Sequence, residues 1–438
     1  MPSTELRDQA ARSPITNGGP SWQSQLPRGS TRDRPLSFHW SAPDLSAQLG
    51  LRPSKSDHYD ATRKAILAEA VLAAEAGQRV SYSRRRGFYS EGKRYRGTSY
   101  TYANVIPAVA ELERSGWIVD CRVLPGNRGW QSSFFASDQL LHAWGNTSAS
   151  LNYADGEIIQ LKNNDGEFVD YQDSANTRRL RGELAKFNEA LAGLCLDLPD
   201  VKWRGRHMLI GNNYILPVPN HGLHRIFSRN SWSLHGRAYA WFQSIPKTSR
   251  LSLTINSEPV AEADYVSLHA SILYNEAGIP FIGDAYDIDG FARPEIKLGF
   301  NIAINARNER AAVSALADHL GEPRGHCANV IAAIKNRHKP IERYFCSDAG
   351  VRLMRIDSKL ILNAVKIVND RGDPALPIHD ALIVPARCVE NAASAMCESF
   401  ERIVGRANPC TIKIKSQNVP QMGERPDGLY AYSVGRKP

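Results

Sequence analysis

The chain has 438 residues, long enough for two or three domains with buried cores. Lys and Arg number 54 against 45 Asp and Glu, a net charge of +9 that suits an anionic partner without demanding one. Seven scattered cysteines offer neither a C-x-x-C pair nor zinc-type His spacing, and no apolar signal core or ~18-residue apolar run occurs, so disulfide-framework, zinc-knuckle and membrane-spanning classes are excluded and a reduced, cytoplasmic protein is expected.

In chain order, residues 1–57 are rich in Ser, Pro, Gly, Arg and Gln without apolar periodicity and are expected to form a disordered basic arm. The run D-A-T-R-K-A-I-L-A-E-A-V-L-A-A-E-A from Asp60 to Ala76 predicts a helix closed by Gly77. Seven basic residues follow between Arg79 and Arg96, with Arg84, Arg85, Arg86, Lys93, Arg94 and Arg96 interleaved with Tyr82, Phe88, Tyr89 and Tyr95 against one acid. That mixture suits phosphate contacts with base stacking. A second helix from about Tyr100 to Arg114, the strand-like W-I-V-D-C-R-V-L, a turn P-G-N-R-G and W-Q-S-S-F-F complete the pattern. Over residues 58–146 this order resembles a winged helix-turn-helix with Tyr100–Arg114 as recognition helix; the plainer alternative is a small α+β module with a solvated basic loop.

Asn152 to Asp173 reads as a hairpin turning at Asn164-Asp165-Gly166, and a helix runs from Ser174 to about Ala192. Arg178, Arg179 and Arg181 in its first turns either solvate that face or grip a duplex backbone.

The chemistry gathers between Val260 and Pro385, where Asp264 and Asp380 each stand at the edge of an apolar, strand-like run. Two carboxylates so far apart in sequence meet if their strands lie side by side, and their pairing is costly unless a cation such as magnesium joins them. Phosphoryl transfer to a hydroxyl uses two such cations ~4 Å apart, bridged by carboxylates. Arg293 and Lys297, four apart in R-P-E-I-K, share one helical face and are spaced to grip a triphosphate. In L-P-I-H-D-A-L-I-V, His379 precedes the second aspartate, and the alternation is that of a strand rather than of the helical surroundings of an HD-type phosphohydrolase.

These motifs, from H-G-R-A-Y-A-W-F-Q-S-I-P at His235 through D-Y-V-S-L-H, R-P-E-I-K and P-I-H-D, resemble in their order the polymerase module of family A nucleic-acid polymerases. That family includes bacterial DNA polymerase I and, more distantly, the single-subunit phage-type RNA polymerases. The resemblance implies that Gly236, Arg237, Gln243, Ile245 and Pro246 hold the primer–template. It implies that Asp264 and Asp380 bind two Mg²⁺ ions, or Mn²⁺ in their place, with Tyr265 following the first aspartate beside the nucleotide. Arg293 and Lys297 would meet the incoming triphosphate, Lys297 would protonate the leaving group, and His379 would position the primer terminus.

The chain departs from the family at three nucleotide-facing positions. Asn301 and Asn305 stand where an aromatic residue and a tyrosine are usual, and His269 stands where a glutamate blocks ribonucleotides, so the choice between deoxy- and ribonucleotides stays open. Asp357 and Ser358 either face template or primer or form a cap or surface pair.

The implied fold is α+β: a right-hand polymerase palm of antiparallel strands with flanking helices over 233–438, with reduced fingers. A hairpin and a short helical thumb would fill 152–232, and the winged helix would precede them. The implied function is a template-directed DNA polymerase without proofreading, a monomer that takes DNA template and primer and nucleoside triphosphates and serves a plasmid, phage or other mobile element. The alternatives are a primase or single-subunit RNA polymerase with an RNA product, and a non-catalytic DNA-binding replication initiator or regulator.

Overall fold

The computed structural model describes residues 33–123, 131–146, 149–281 and 283–416. The P-G-N-R-G turn, most of the N-terminal arm and the last 22 residues lie outside them. The chain is α+β and divides into two compact units. The first is built from residues up to Gln160, Glu167–Ser174 and Val201–Gly222, the second from Leu161–Gly166, Ala175–Asp200 and the chain from Leu223 on.

In the first unit the strands are β1 (Arg34–Pro35), β2 (Trp40–Ser41), β3 (Val80–Tyr82), β4 (Ile118–Cys121), β5 (Ser132–Ala136) and β6 (Asn152–Tyr153). Its helices are α1 (Pro43–Gln48), α2 (Asp57–Glu75), α3 (Lys93–Arg96), α4 (Tyr102–Arg114) and α5 (Asp138–Gly145). Helix α2 begins where the Ser56 side chain accepts from the Tyr59 N–H, and its long run of Ala, Leu and Val is buried on nearly every side. The sheet runs β1-β3-β5-β4, parallel between β1 and β3 and antiparallel elsewhere. Helix α4 starts at a Thr101 cap and passes through an exposed Pro107 unbroken, burying Val105, Ala108, Val109 and Leu112.

The expected N-terminal arm is corrected from Asp33 onward. Leu36, Trp40 and Leu45 enter the core of this unit, and Glu69, fully buried inside α2, is bonded to Arg34 and Ser37. A carboxylate buried in a helix requires such a partner, and strands two residues long carry no periodicity to read.

The region 152–232, expected as a hairpin followed by a thumb-like helix, is shared between the units. The turn at residues 164–166 is present, but the segment after it does not return as a regular strand. Asp170 and Asp173 instead accept from Lys93 and Arg94. A three-stranded antiparallel sheet of β7 (Lys202–Arg204), β8 (His207–Ile210) and β9 (Asn213–Ile215) joins the first unit, where Glu75 meets the His207 ring and the Arg206 N–H.

In the second unit β10 (His224–Ser228) pairs with β11 (Ser231–Tyr239), and β12 (Glu258–Tyr265) is the centre of the main sheet. Antiparallel β13 (Leu376–Ile378) and β14 (Ala381–Pro385) form a hairpin whose second strand lies against one edge of β12, and β15 (Ile412–Ser416) pairs with the other. Short strands Thr254–Ile255 and Leu196–Asp197 extend the sheet.

Among the described residues this unit holds seven α-helices: α6 (Ala175–Ala192), α7 (Leu268–Ala277), α8 (Arg293–Asn305), α9 (Glu309–Leu320), α10 (Arg324–Arg337), α11 (Gly350–Asp370) and α12 (Val389–Ile403). The amphipathic α11 and α12 pack on each other and on the sheet, while α8, α9 and α10 form a three-helix cluster around Phe300, Leu316 and Ile334. Asn188 of α6 exchanges hydrogen bonds with both the N–H and the C=O of Leu223, at 2.7 and 3.0 Å. No described helix is long and apolar enough to cross a membrane.

Candidate active site

The second unit contains a cleft of ≈ 350 Å³ where β12, the β13–β14 hairpin, α7, α8 and α11 converge. Along β12 side chains alternate, so Glu262 and Asp264 share one face while Tyr265 takes the other. The hairpin turns on two residues, His379 and Asp380, and His379 adopts a left-handed φ of 55° that histidine tolerates better than most side chains. Asp264 is the register partner of Ala381, and the Tyr265 N–H donates to the Asp380 carbonyl at 3.4 Å. The fold thus brings the two distant aspartates together in one cleft.

Burial, and then the neighbouring Asp380 charge, push the Asp264 carboxyl above its usual range, against the pull of Lys415. Lys415, on β15 opposite Glu262, donates to Asp264 at 3.2 Å and is ion-paired with the buried Glu262. Two hard carboxylates in one cleft, with the Asp380 charge opposing ionisation of Asp264, fit a divalent cation of the magnesium type, which binds through one or two carboxylates and completes its shell with water and phosphate oxygens. Among the described residues no third His, Cys, Asp or Glu completes an all-protein metal cage.

His379 also lines the cleft, its pKa lowered by burial and by the Arg237 and Arg250 cations, which favours the neutral imidazole. On α8, Lys297, Asn301 and Asn305 project into the cleft, and the Lys297 ammonium stands 5.8 Å from the centre of the Tyr286 ring. Arg293, one turn earlier, is not among the lining residues; it is ion-paired with Asp284 and stacks on the same ring at 5.4 Å. Asn305 spends its amide N–H on the Asn301 carbonyl at 2.8 Å.

Beneath these groups lies a buried network. Arg237 reaches the fully buried Asp357 of α11, and His269 Nε2 stands 3.5 Å from the same carboxylate. Ser358 donates to the Gly236 carbonyl, which also accepts from Arg225 at 2.8 Å. Gly236 has φ 77°, and a Cβ there would stand 2.8 Å from the Phe227 ring, so the glycine preceding Arg237 is required by its backbone and by close packing. Asp357 and Ser358 are therefore internal ties between α11 and β11.

Several expected roles are corrected. Tyr265 is a core residue whose hydroxyl donates to the Met396 carbonyl at 2.6 Å, because the strand alternation that presents Asp264 turns it away. Gln243 is buried and donates to Ala238 and Pro377 carbonyls at 3.1 and 2.9 Å, fastening the hairpin rather than offering its amide N–H to nucleic acid.

In the first unit Arg94 is ion-paired with Asp173 and Arg96 lies on the Phe88 ring at 4.0 Å while donating to its carbonyl, so both brace the basic loop. Arg84 donates to the Tyr82 hydroxyl at 2.9 Å; Arg85, Arg86 and Lys93 are exposed. Tyr82 and Tyr89 are buried and Tyr95 packs on Phe168, which removes them as stacking platforms. Arg178 is exposed and Arg181 half-buried on α6, and neither lines the cleft.

Sequence reasoning missed Glu262, Lys415, Arg250 and Lys247, which line or border the cleft. The i, i+2 spacing of Glu262 and Asp264 on a strand was a usable signal for the first; nothing in the sequence fixes Lys415, whose strand arrives from the end of the chain.

No family model matches the chain, and no curated protein matches it. Among solved structures, the POL domain of Pol1 from M. smegmatis, in complex with DNA primer-template and dNTP, aligns with a TM-score of 0.33 and 12% identity. The match covers 55% of this chain and 50% of that one, so it spans about half of the matched structure.

Proposed function

We propose that the chain is a template-directed nucleotidyltransferase of the family A kind, a DNA polymerase without proofreading. Its sheet and α11–α12 pair would serve as the palm, the α8–α10 cluster as reduced fingers and α6 as a short thumb. The observation that carries the reading is the convergence of Asp264, Lys297, and the adjacent His379 and Asp380 in one cleft, from three separated stretches of sequence.

In this reading Asp264 and Asp380 hold the magnesium ions, whose chemistry is to acidify the primer hydroxyl and neutralise the leaving pyrophosphate. Lys297 and, once released from Asp284, Arg293 neutralise the triphosphate. Lys297 donates a proton to the departing pyrophosphate, and neutral His379 orients the primer end. His269, held by Asp357, faces the sugar. The first unit is proposed as a winged helix, supported by the order α2, β3, α3, α4, β4, β5 and by the pairing of β5 between β3 and β4. Tethered to the palm, it would raise the local concentration of DNA.

Extension of a labelled primer on a DNA template with magnesium, offering deoxy- and ribonucleotides separately, tests the reading. Growth with deoxynucleotides that disappears in Asp380→Ala supports it. Growth with ribonucleotides or without primer moves the chain to the primase or RNA polymerase class. Failure with both, alongside retained binding of duplex DNA, leaves a DNA-binding initiator or regulator.

A further inference from the structure

Within the second unit, helix α11 carries charge on two faces. On one, Met354 lines the cleft and Asp357 holds Arg237. Arg355 and Lys359, four positions apart, share a different face and line no part of the cleft.

Arg225 of β10 reaches that second face. It is buried and donates to Ser358 Oγ at 3.2 Å and to the Gly236 carbonyl at 2.8 Å. The Arg225 and Arg355 guanidinium groups lie 4.9 and 5.5 Å from the centre of the same ring, that of the fully buried Phe227. Arg355, itself only 9% exposed, donates through Nε to the Trp232 carbonyl at 3.3 Å. Its Nη1 is buried and meets no hydrogen-bond partner among the described residues. A buried guanidinium donor left unpaired is costly, and so is crowding it with like charge.

The crowding shows in the titration of the group. Burial, and then the Arg355 cation, bring the Arg225 pKa down to about 9. Burial, and then Arg179 of α6, lower that of Arg355, and desolvation followed by Arg355, Arg179 and Arg225 lowers that of Lys359. Among the described residues the acid acting on this group is Glu183, already ion-paired with Arg179 at 2.6 Å. One carboxylate does not neutralise four cations. Arg179 and Lys359 are exposed while Arg225 and Arg355 are buried, so the charges run from an open rim to a covered floor.

We infer that Arg179, Arg225, Arg355 and Lys359 form a binding site for a phosphate group, offered either by a nucleic-acid strand or by a free phosphate ion. Guanidinium groups match the oxygens of a phosphate in pairs, and its multiple negative charge suits the excess of cations over the one acid. Lys359 and Arg179 meet the phosphate at the rim, and Arg355 supplies its unspent donor from the floor. The inference does not rest on the catalytic reading.

The test compares wild type with Lys359→Ala, Lys359→Arg and Lys366→Ala, the last removing an exposed lysine two turns along the same helix as a control for charge. Melting temperatures of the full chain, treated with chelator, are read in sodium phosphate and in sodium chloride of equal ionic strength. Fluorescein-labelled single-stranded and duplex DNA are titrated in parallel. Phosphate is expected to raise the melting temperature of wild type, Lys359→Arg and Lys366→Ala, and Lys359→Ala to bind phosphate about tenfold more weakly. Lys359→Ala should melt no lower than wild type in chloride, because a repelled cation has gone, and should still extend a primer on a saturating template. A parallel loss of DNA affinity in Lys359→Ala, absent in Lys366→Ala, would give the site to a nucleic-acid phosphate; unchanged DNA affinity would give it to the free ion. A phosphate effect of the same size in Lys359→Ala and wild type would overturn the inference. So would the absence of any phosphate effect together with equal DNA affinity in the two, which would leave the Arg355 donor to water.

Discussion

At the scale of single residues, the network below the cleft makes an asymmetric prediction. Asp357 is fully buried, whereas Arg237 still reaches solvent. Arg237→Ala strands a buried carboxylate and is expected to cost about 3 kcal/mol or more, while Asp357→Asn leaves a cation that water can solvate and costs less. Urea denaturation of the two variants measures the difference; equal costs would show that the pair is not held as described.

Asp264 supplies the pH dependence. Its pKa is raised by burial and by Asp380, so the folded chain holds that proton more tightly than the unfolded chain. The resulting stabilisation is complete below the ordinary carboxylate value of about 3.9 and is lost as pH rises through the raised value. At neutral pH the charged Asp264 therefore opposes folding. Asp264→Asn is expected to raise the Tm of chelator-treated protein at neutral pH, to converge with wild type in acid and to abolish nucleotide incorporation.

At the scale of elements, helix α8 presents Lys297, Asn301 and Asn305 because its opposite face is seated closely on α10. A Cβ at Gly299 would stand 2.9 Å from Ile334 and 3.1 Å from Val330. Gly299→Val is expected to cost roughly 1–3 kcal/mol by overpacking, partly offset by the better helix propensity of a non-glycine residue, and to raise the KM for nucleotide as α8 shifts. Thermal melts and steady-state kinetics read the two effects separately.

The β13–β14 hairpin and helix α8 were legible in the sequence, the first from apolar runs flanking a two-residue polar turn and the second from R-P-E-I-K on an amphipathic run. Strand β1 and helix α1 were not, because their ordering depends on Glu69 and the core of α2 rather than on any pattern of their own. The second arm of the 152–173 hairpin failed for the same reason: its acids pair with the basic loop, not with a neighbouring strand.

At the scale of the whole molecule, the net charge of +9 is distributed unevenly in what it can do. Of the basic loop in the first unit, Arg94 and Arg96 are committed to internal contacts while Arg85 and Arg86 are exposed. The double variant Arg85→Ala/Arg86→Ala is expected to weaken duplex binding and to lower the slope of log affinity against log salt by about 2, whereas removal of Arg94 should lower stability first. Anisotropy titrations at several salt concentrations, beside a thermal melt, distinguish the two.

The sequence by itself determined the identities and spacings that chemistry needs: an aspartate closing one strand, a His-Asp turn in a hairpin, a lysine and arginine one turn apart. Those are local, and short-range periodicity and turn preferences encode them. Only the tertiary structure decided that β12 lies between β14 and β15, so that Asp264 meets Asp380 on one side and Lys415 on the other. It also turned Tyr265 into the core and put Arg237 on Asp357. Pairing partners far apart in the chain are chosen by burial and charge compensation summed over the whole core, and no window of sequence contains that sum.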